Sequence, residues 1–164
     1  MTLRKLILMR HAKSSWATEG QADHERPLNE RGRRDAPRIA QALSDLGWTP
    51  DWVVASDAVR TRQTWEGMTE VFGGDTPLLL DSNLYLAGLG ALQQSAATWP
   101  SATTTLLALG HNPGWEQALS YLSGTPCGMT TANAGLLEGH GASWQEALEG
   151  AWELREFLTP KGLS

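Results

Sequence analysis

Four residues carry most of the chemistry in this 164-residue chain: the adjacent pair Arg10 and His11, a separate Arg60, and His111. An arginine stays ionised at any working pH and presents a planar fork of donors that matches phosphate oxygens. A histidine can attack phosphorus, but only through a ring nitrogen that carries no proton. In phosphoryl transfer the charge spreads over three oxygens, so positioning and electrostatic stabilisation supply most of the catalysis. Two guanidinium groups and two imidazoles around one tetrahedral anion suit that chemistry, with one histidine left over as a nucleophile. The sequence holds no Gly-rich Walker loop and no Asp-rich metal site. The four histidines show no HExxH pairing, and a single cysteine excludes a CxxC site. No metal and no cofactor are therefore expected.

Such a set works only if the fold brings it together. Arg10 and His11 follow the apolar run "LILM", which is far shorter than the roughly 20 residues of a membrane span. A buried parallel strand fits that run better, and it places the pair at the strand's carboxyl end, where open α/β sheets bind ligands. "DWVVAS" leads into "SDAVRTRQT", where Ser56 or Asp57 can cap a helix that has Arg60 in its first turn. "TTLLALG" leads into "GHNPG", with His111 after the strand, Asn112 as N-cap and Pro113 at the first helical position. Neighbouring strands lie roughly 4.8 Å apart, close enough for such ends to share one ligand.

Further strand candidates are "TPLLLD", "AGLLEG" and "AWELREFL". Ala36, Ile39, Leu43 and Leu46 recur at helical spacing, and Pro37 implies a helix that starts near Asp35 or one with a kink. Ala58, Trp65, Met68 and Phe72 mark a second helix, and Trp115, Ala118, Leu119 and Leu122 a third. "SAATWPSATTT" reads as a connection, and "EGHGASW" as a glycine-flanked turn that leaves His140 exposed. Strands alternating with helices predict an α/β fold with a mostly parallel sheet, in one domain over 1–164. A chain of this length buries about 70% of its unfolded surface. The net charge of −5 leaves no broad basic footprint for nucleic acid, and no membrane segment or secretory signal is seen. One cysteine, Cys127, cannot form an internal disulfide and reads as a packing residue, so the cytoplasm is the expected compartment. Eight tryptophans find no functional account at this level.

With those residues in view, the chain resembles the histidine phosphatase superfamily. Within it, the chain is most similar to the small bacterial phosphohistidine phosphatases of the SixA type. The matching pieces are "LILMRHAKSSW", "DHERPLNERGRRDAP", "VVASDAVRTRQT", "LYLAG", "LALGHNPGWEQAL" and "LTPKGL", in family order over nearly the whole chain. The resemblance implies a three-layer α/β/α, phosphoglycerate mutase-like fold and transient phosphorylation of His11. It also implies that Arg10, Arg60 and His111 bind the phosphoryl group. Ser14 and Asn112 are counted with the substrate-binding residues, whereas Arg62 falls elsewhere on its helix. Lys13 and Ser15 can also reach phosphate or a partner protein, or face solvent. Asn29 reads as a helix cap or a phosphate contact, and His24 as a loop residue or a substrate contact. Glu30, Arg31, Arg33 and Arg34 read as a solvated face.

The sequence departs from the mutase branch in three places. It has Arg-His-Ala in place of Arg-His-Gly, Trp16-Ala17 in place of Trp-Asn, and Tyr85 where that branch has a glutamate acid. An alkoxide leaving group needs such an acid, which typically contributes about 10²–10⁴-fold. Imidazole leaves far more readily, so the missing acid points to phosphohistidine, with Asp81 and Asp23 as possible substitutes. The expectation is a phosphatase acting on a phosphohistidine-bearing phosphorelay protein, of unspecified oligomeric state. A phosphomonoesterase of small phosphate esters and a non-catalytic phosphohistidine-binding module are the alternatives. The short "LLLDSNLYLAGLG" connection leaves little room for a lid.

Overall fold

The computed structural model describes residues 2–163. The apolar run at the amino terminus forms β1, Leu3–Arg10. Its Leu6 and Leu8 enter one hydrophobic cluster and Ile7 and Met9 another, all four fully buried. A strand covered on both faces has to be central. β1 pairs in parallel with β4, Thr105–Gly110, and antiparallel with β5, Ala134–His140. With β2 at Trp52–Ala55, β3 at Leu78–Leu80 and β6 at Glu153–Leu158, the strand order is β3-β2-β4-β1-β5-β6. The first four strands in that order are mutually parallel, β5 runs against them, and β6 pairs antiparallel with β5 and so runs in the direction of the first four.

Helices α1, Glu30–Asp45, and α2, Val59–Thr69, cover the Ile7–Met9 face with Ile39, Leu43, Trp65 and Met68. Helices α3, Leu89–Ser95, α4, Gly114–Ser123, and α5, Trp144–Leu148, cover the other face with Leu92, Trp115, Leu119 and Trp144. This is the expected three-layer α/β/α arrangement, and each strand candidate appears. Much of the tryptophan excess is structural. Trp144 packs edge-on to Trp99 and face-on to Trp152, with ring centroids 5.6 and 6.1 Å apart.

Several local expectations need correction. Of the two starts left open for the first helix, the one near Asp35 falls: the helix begins at Glu30, and Asn29 is its cap, as one of its two readings had it, the side chain accepting from the Gly32 N–H at 2.9 Å. Pro37 therefore lies inside the helix. Gly32 is required by a close approach, since a Cβ there would sit 2.1 Å from the Lys13 carbonyl oxygen. Helix α2 starts at Val59 without a side-chain cap, so neither Ser56 nor Asp57 plays that part. Helix α4 starts at Gly114, one residue later than expected, and Pro113 precedes it. Asn112 still accepts from the Glu116 N–H at 3.3 Å. His140 is exposed but ends β5, so the bend is confined to residues 141–143, and α5 begins at Trp144 rather than a further strand. The "connection" before β4 contains the end of α3. Among the described residues no helix is long and apolar enough to cross a membrane.

Candidate active site

The parallel strands β2, β4 and β1 end on one edge of the sheet, and their ladders continue one residue further. His11 N–H donates to the Gly110 carbonyl at 3.1 Å, and Ser56 N–H to the Leu109 carbonyl at 3.2 Å. His11, His111 and Ser56 are thereby set beside one another. The imidazole centroids of His11 and His111 lie 5.3 Å apart, and both residues are buried. Arg60, in the first turn of α2, joins them: its Nε–H donates to His11 Nε2 and its terminal NH2 to His111 Nδ1, both at 3.3 Å. The loop around His11 is pinned from behind. Ala12 N–H donates to the Thr64 hydroxyl at 3.0 Å, which donates to the Arg60 carbonyl at 2.7 Å.

These contacts settle the tautomers. His11 Nδ1 lies 2.7 Å from the Ala12 carbonyl, which only accepts, so Nδ1 carries the proton and Nε2 a lone pair. A guanidinium only donates, so His111 Nδ1 also presents a lone pair. The His111 proton then sits on Nε2 and is donated to Ser56 Oγ at 2.6 Å. Ser56 donates onward to the Thr61 hydroxyl at 2.9 Å, which in turn donates to the Ala58 carbonyl at 2.7 Å. Burial, reinforced by the Arg60 and Arg10 charges, lowers the His11 pKa from 6.5 to about 4, against the pull of the Ala12 carbonyl. Burial, with His11 and Arg60 beside it, lowers the His111 pKa to about 3. Both rings are neutral at neutral pH, which is the state a nucleophile needs.

Arg10 lines the same cleft. It donates to the Met129 carbonyl at 3.0 Å, while its buried Nε has no partner among the described residues. The cleft has a volume of about 240 Å³, and its mouth carries Lys13, Ser14, Trp16, Asp23, Arg26 and Leu86. Ser14 and Asn112 both line it. Ser14 accepts from Arg26 at 2.8 Å and keeps its own proton to donate. The Asn112 amide group is already committed, donating to Glu116 at 2.8 Å and to the Met129 carbonyl at 2.7 Å. Asn112 thus braces the wall, with no amide hydrogen left for a ligand. Arg62 is exposed and donates to the Asp57 carbonyl at 3.1 Å, while Glu30, Arg31, Arg33 and Arg34 are exposed.

The two candidate acids separate cleanly. Asp81 faces away, accepting from the Asn83 N–H at 3.0 Å. Asp23 lies in the cleft, where its backbone carbonyl and its carboxylate accept from Arg60 at 2.7 and 3.0 Å. The Tyr85 hydroxyl also donates to that carboxylate, and Arg26 donates to its other oxygen at 3.1 Å. Partial burial works to raise the Asp23 pKa, but Tyr85 and Arg60 prevail and hold it at about 2. Asp23 is thus ionised at neutral pH and has no proton to give. Tyr85 also stands edge-on to His111, with centroids 5.3 Å apart, so the residue in the mutase acid's place packs against His111 and holds Asp23. His24 lies outside the cleft and holds Asp57 at 2.8 Å.

Sequence reasoning missed Ser56, Thr61 and Arg26 as parts of the site. The serine stands four residues before Arg60, but nothing in its neighbourhood signals that its hydroxyl would link the first turn of α2 to His111. Among the described residues, no group of three or more His, Cys, Asp or Glu side chains is placed to hold a metal ion.

Residues 6–112 match the model of the histidine phosphatase superfamily, branch 1. An uncharacterised chloroplastic protein of Arabidopsis thaliana is 37% identical over 174 residues, covering 96% of this chain and 78% of its own. Among solved structures, a protein assigned as the phosphohistidine phosphatase SixA of Agrobacterium tumefaciens superposes with a TM-score of 0.81 at 29% identity. That likeness covers 96% of this chain and 98% of the other. A SixA protein histidine phosphatase complexed with tungstate has a TM-score of 0.81 at 19% identity, covering 98% and 99%, and speaks for the fold. The sheet order, the paired imidazoles and these likenesses lead to one statement: the chain belongs to the histidine phosphatase superfamily, and its relationships support phosphatase activity.

Proposed function

We propose that this protein hydrolyses phosphohistidine on a protein through a covalent phosphoryl intermediate on His11. The observation that carries the reading is the His11 tautomer. With its Nδ1 proton donated to the Ala12 carbonyl, His11 keeps a lone pair on Nε2, which can attack phosphorus once the incoming oxygens draw Arg60 away from it, while Arg10 and Arg60 hold those oxygens. The phosphorus–nitrogen bond of the donor breaks, and the donor imidazole leaves as the neutral ring once its far nitrogen holds a proton from solvent. A water then attacks phosphorus, the bond to Nε2 breaks, and the water's protons stay with the released phosphate. Because Nδ1 keeps its proton throughout, His11 departs as a neutral imidazole in that second step.

The absence of a carboxylic acid with a proton to donate favours such a donor. Asp23 is held ionised by Arg60 and Tyr85, so an alkoxide would leave unassisted. An open cleft on the end of a sheet also suits a histidine presented by another protein, such as a phosphorelay domain. The test is phosphate release from a phosphorylated histidine-containing phosphotransfer domain, set beside sugar phosphates and nucleotides. The expected result is strong preference for the protein substrate, a trapped phospho-His11, and loss of all turnover in His11→Ala. Preference for an ester, binding without turnover, or full activity in His11→Ala overturns the reading.

A further inference from the structure

Two apolar side chains at the cleft mouth have no structural reason to be where they are. Trp16 is 74% exposed and Leu86 is 55% exposed, and both line the cleft that contains His11. Soluble proteins leave single apolar residues exposed without consequence. These two, however, come from separate segments and meet at one opening, and each is held there.

Trp16 is held by a stack. The Arg26 guanidinium carbon lies 3.4 Å from the centroid of the Trp16 ring, a close cation–π contact. Arg26 itself is buried and fixed by the Ser14 hydroxyl at 2.8 Å and the Asp23 carboxylate at 3.1 Å. The indole therefore rests on a rigid base, and with 74% of the residue exposed its other face is left open. Leu86 is held by strain. Its φ of 53° lies in the left-handed region, which a residue with a Cβ adopts at a cost and glycine adopts freely. It follows directly on Tyr85, which is fixed to Asp23, and precedes Ala87, whose carbonyl abuts Gly114 so closely that a Cβ there would sit 1.9 Å away. The backbone is clamped on both sides of a strained leucine that points at the opening and gains little burial in return.

We propose that Trp16 and Leu86 grip the planar imidazole of the phosphohistidine donor, with Trp16 stacked on its face. This deepens the reading of the site as a phosphohistidine phosphatase and rests on it. Arg10, Arg60 and His11 take the phosphoryl group at the bottom of the cleft, so the group attached to phosphorus must lie outward, at the mouth. A flat ring fits between an open indole face and a leucine, and the indole face accepts it whether or not its far nitrogen carries a proton.

The experiment compares kcat/KM for phosphohistidine with that for phosphoramidate, which has the same phosphorus–nitrogen bond and no ring. In Trp16→Ala the ratio of the two is expected to fall about fivefold or more, through KM for phosphohistidine. Trp16→Phe, which keeps a flat face, restores most of the ratio. Leu86→Gly, which relieves the backbone, lowers the ratio about threefold without loss of folding. Equal losses on both donors in Trp16→Ala would mean a structural role and overturn the proposal. A wild-type protein that prefers phosphohistidine while Trp16→Ala keeps the same ratio removes the grip and leaves the phosphatase reading intact. A wild-type protein with no preference for the ring donor removes both.

Discussion

Arg4 and Arg60 are each 2% exposed, sit at opposite ends of the same sheet, and are treated oppositely by the chain. Arg4, near the start of β1, donates to four backbone carbonyls, those of Ser101 and Thr103 at 2.7 Å, Ala142 at 2.8 Å and Gly141 at 3.2 Å. Its guanidinium also lies 5.6 Å from the Trp144 ring centroid. Each partner is covalently part of the backbone and cannot leave. Arg60 instead faces two imidazole lone pairs at 3.3 Å and the carboxylate and carbonyl of Asp23. These partners are long, or on a loop, and an incoming phosphate oxygen can replace them. One buried arginine closes a structure; the other waits for an anion. Burial alone says nothing about function, whereas the nature of the partners does.

Breaking that comparison should produce the largest effects. Arg60→Gln is expected to lower kcat/KM about 10³-fold or more, the scale seen when an arginine that neutralises a phosphoryl transition state is lost. Its urea midpoint should move little, because the groups it abandons sit at a solvent-accessible cleft. Arg4→Met should do the reverse. It strands buried carbonyls, each costing about 1–3 kcal/mol, so unfolding should become easier by about 3 kcal/mol or more with kcat/KM nearly unchanged. Stability and activity falling together in either variant would dissolve the distinction.

The same contrast explains what could be read from sequence. Apolar runs that stop at a charged or polar residue identified β1, β2 and β4 and, at their ends, Arg10, His11 and His111, because covered strands leave a continuous signature. Arg60 was legible through its distance from a strand end. Helices α3 and α5 were not, being 7 and 5 residues long and too short for a periodic pattern to declare itself. Ser56 looked like a cap because serine in front of a helix usually is one, and only the position of His111 redirects it. The hold of Tyr85 on Asp23, 62 residues apart, joins segments whose meeting no local pattern records. Arg4 was invisible for the same reason, since its partners are carbonyls that any residue supplies.

A second comparison concerns pH. His11 and His111 have pKa values lowered to about 4 and about 3 by burial, whereas in the unfolded chain each titrates near 6.5. The unfolded state therefore binds more protons below pH 6.5. The stabilisation these neutral rings provide is fully present above that pH and is lost as pH falls through 4. At about 1.4 kcal/mol per unit, unfolding should become easier by several kcal/mol between pH 6.5 and 4. Asp23, held at about 2, contributes its own loss only below its ordinary 3.8, so that window belongs to the histidines. Urea titrations across it should show a slope that flattens in His11→Gln and His111→Gln and keeps its steepness in Arg4→Met. An unchanged slope in both histidine variants would refute the assignment.

The smallest effect expected is at Ser56, where the comparison is between holding a ring and touching the substrate. Ser56 accepts the His111 Nε2 proton at 2.6 Å and passes the chain of donors to Thr61, so it fixes which nitrogen of His111 faces the phosphoryl site. In Ser56→Ala the ring loses that acceptor and can place its proton on Nδ1, where it would oppose the Arg60 donor. The expected loss is about tenfold in kcat with KM little altered, because Arg10 and Arg60 still bind the anion. Ser56→Thr retains the hydroxyl and should recover most of the rate if the buried site admits its methyl. The readout that separates orientation from simple packing is the His111 ring itself. Nitrogen-15 NMR should find its proton on Nε2 in the wild type and shifted toward Nδ1 in Ser56→Ala. A tautomer that stays put while kcat falls would assign Ser56 a packing role instead.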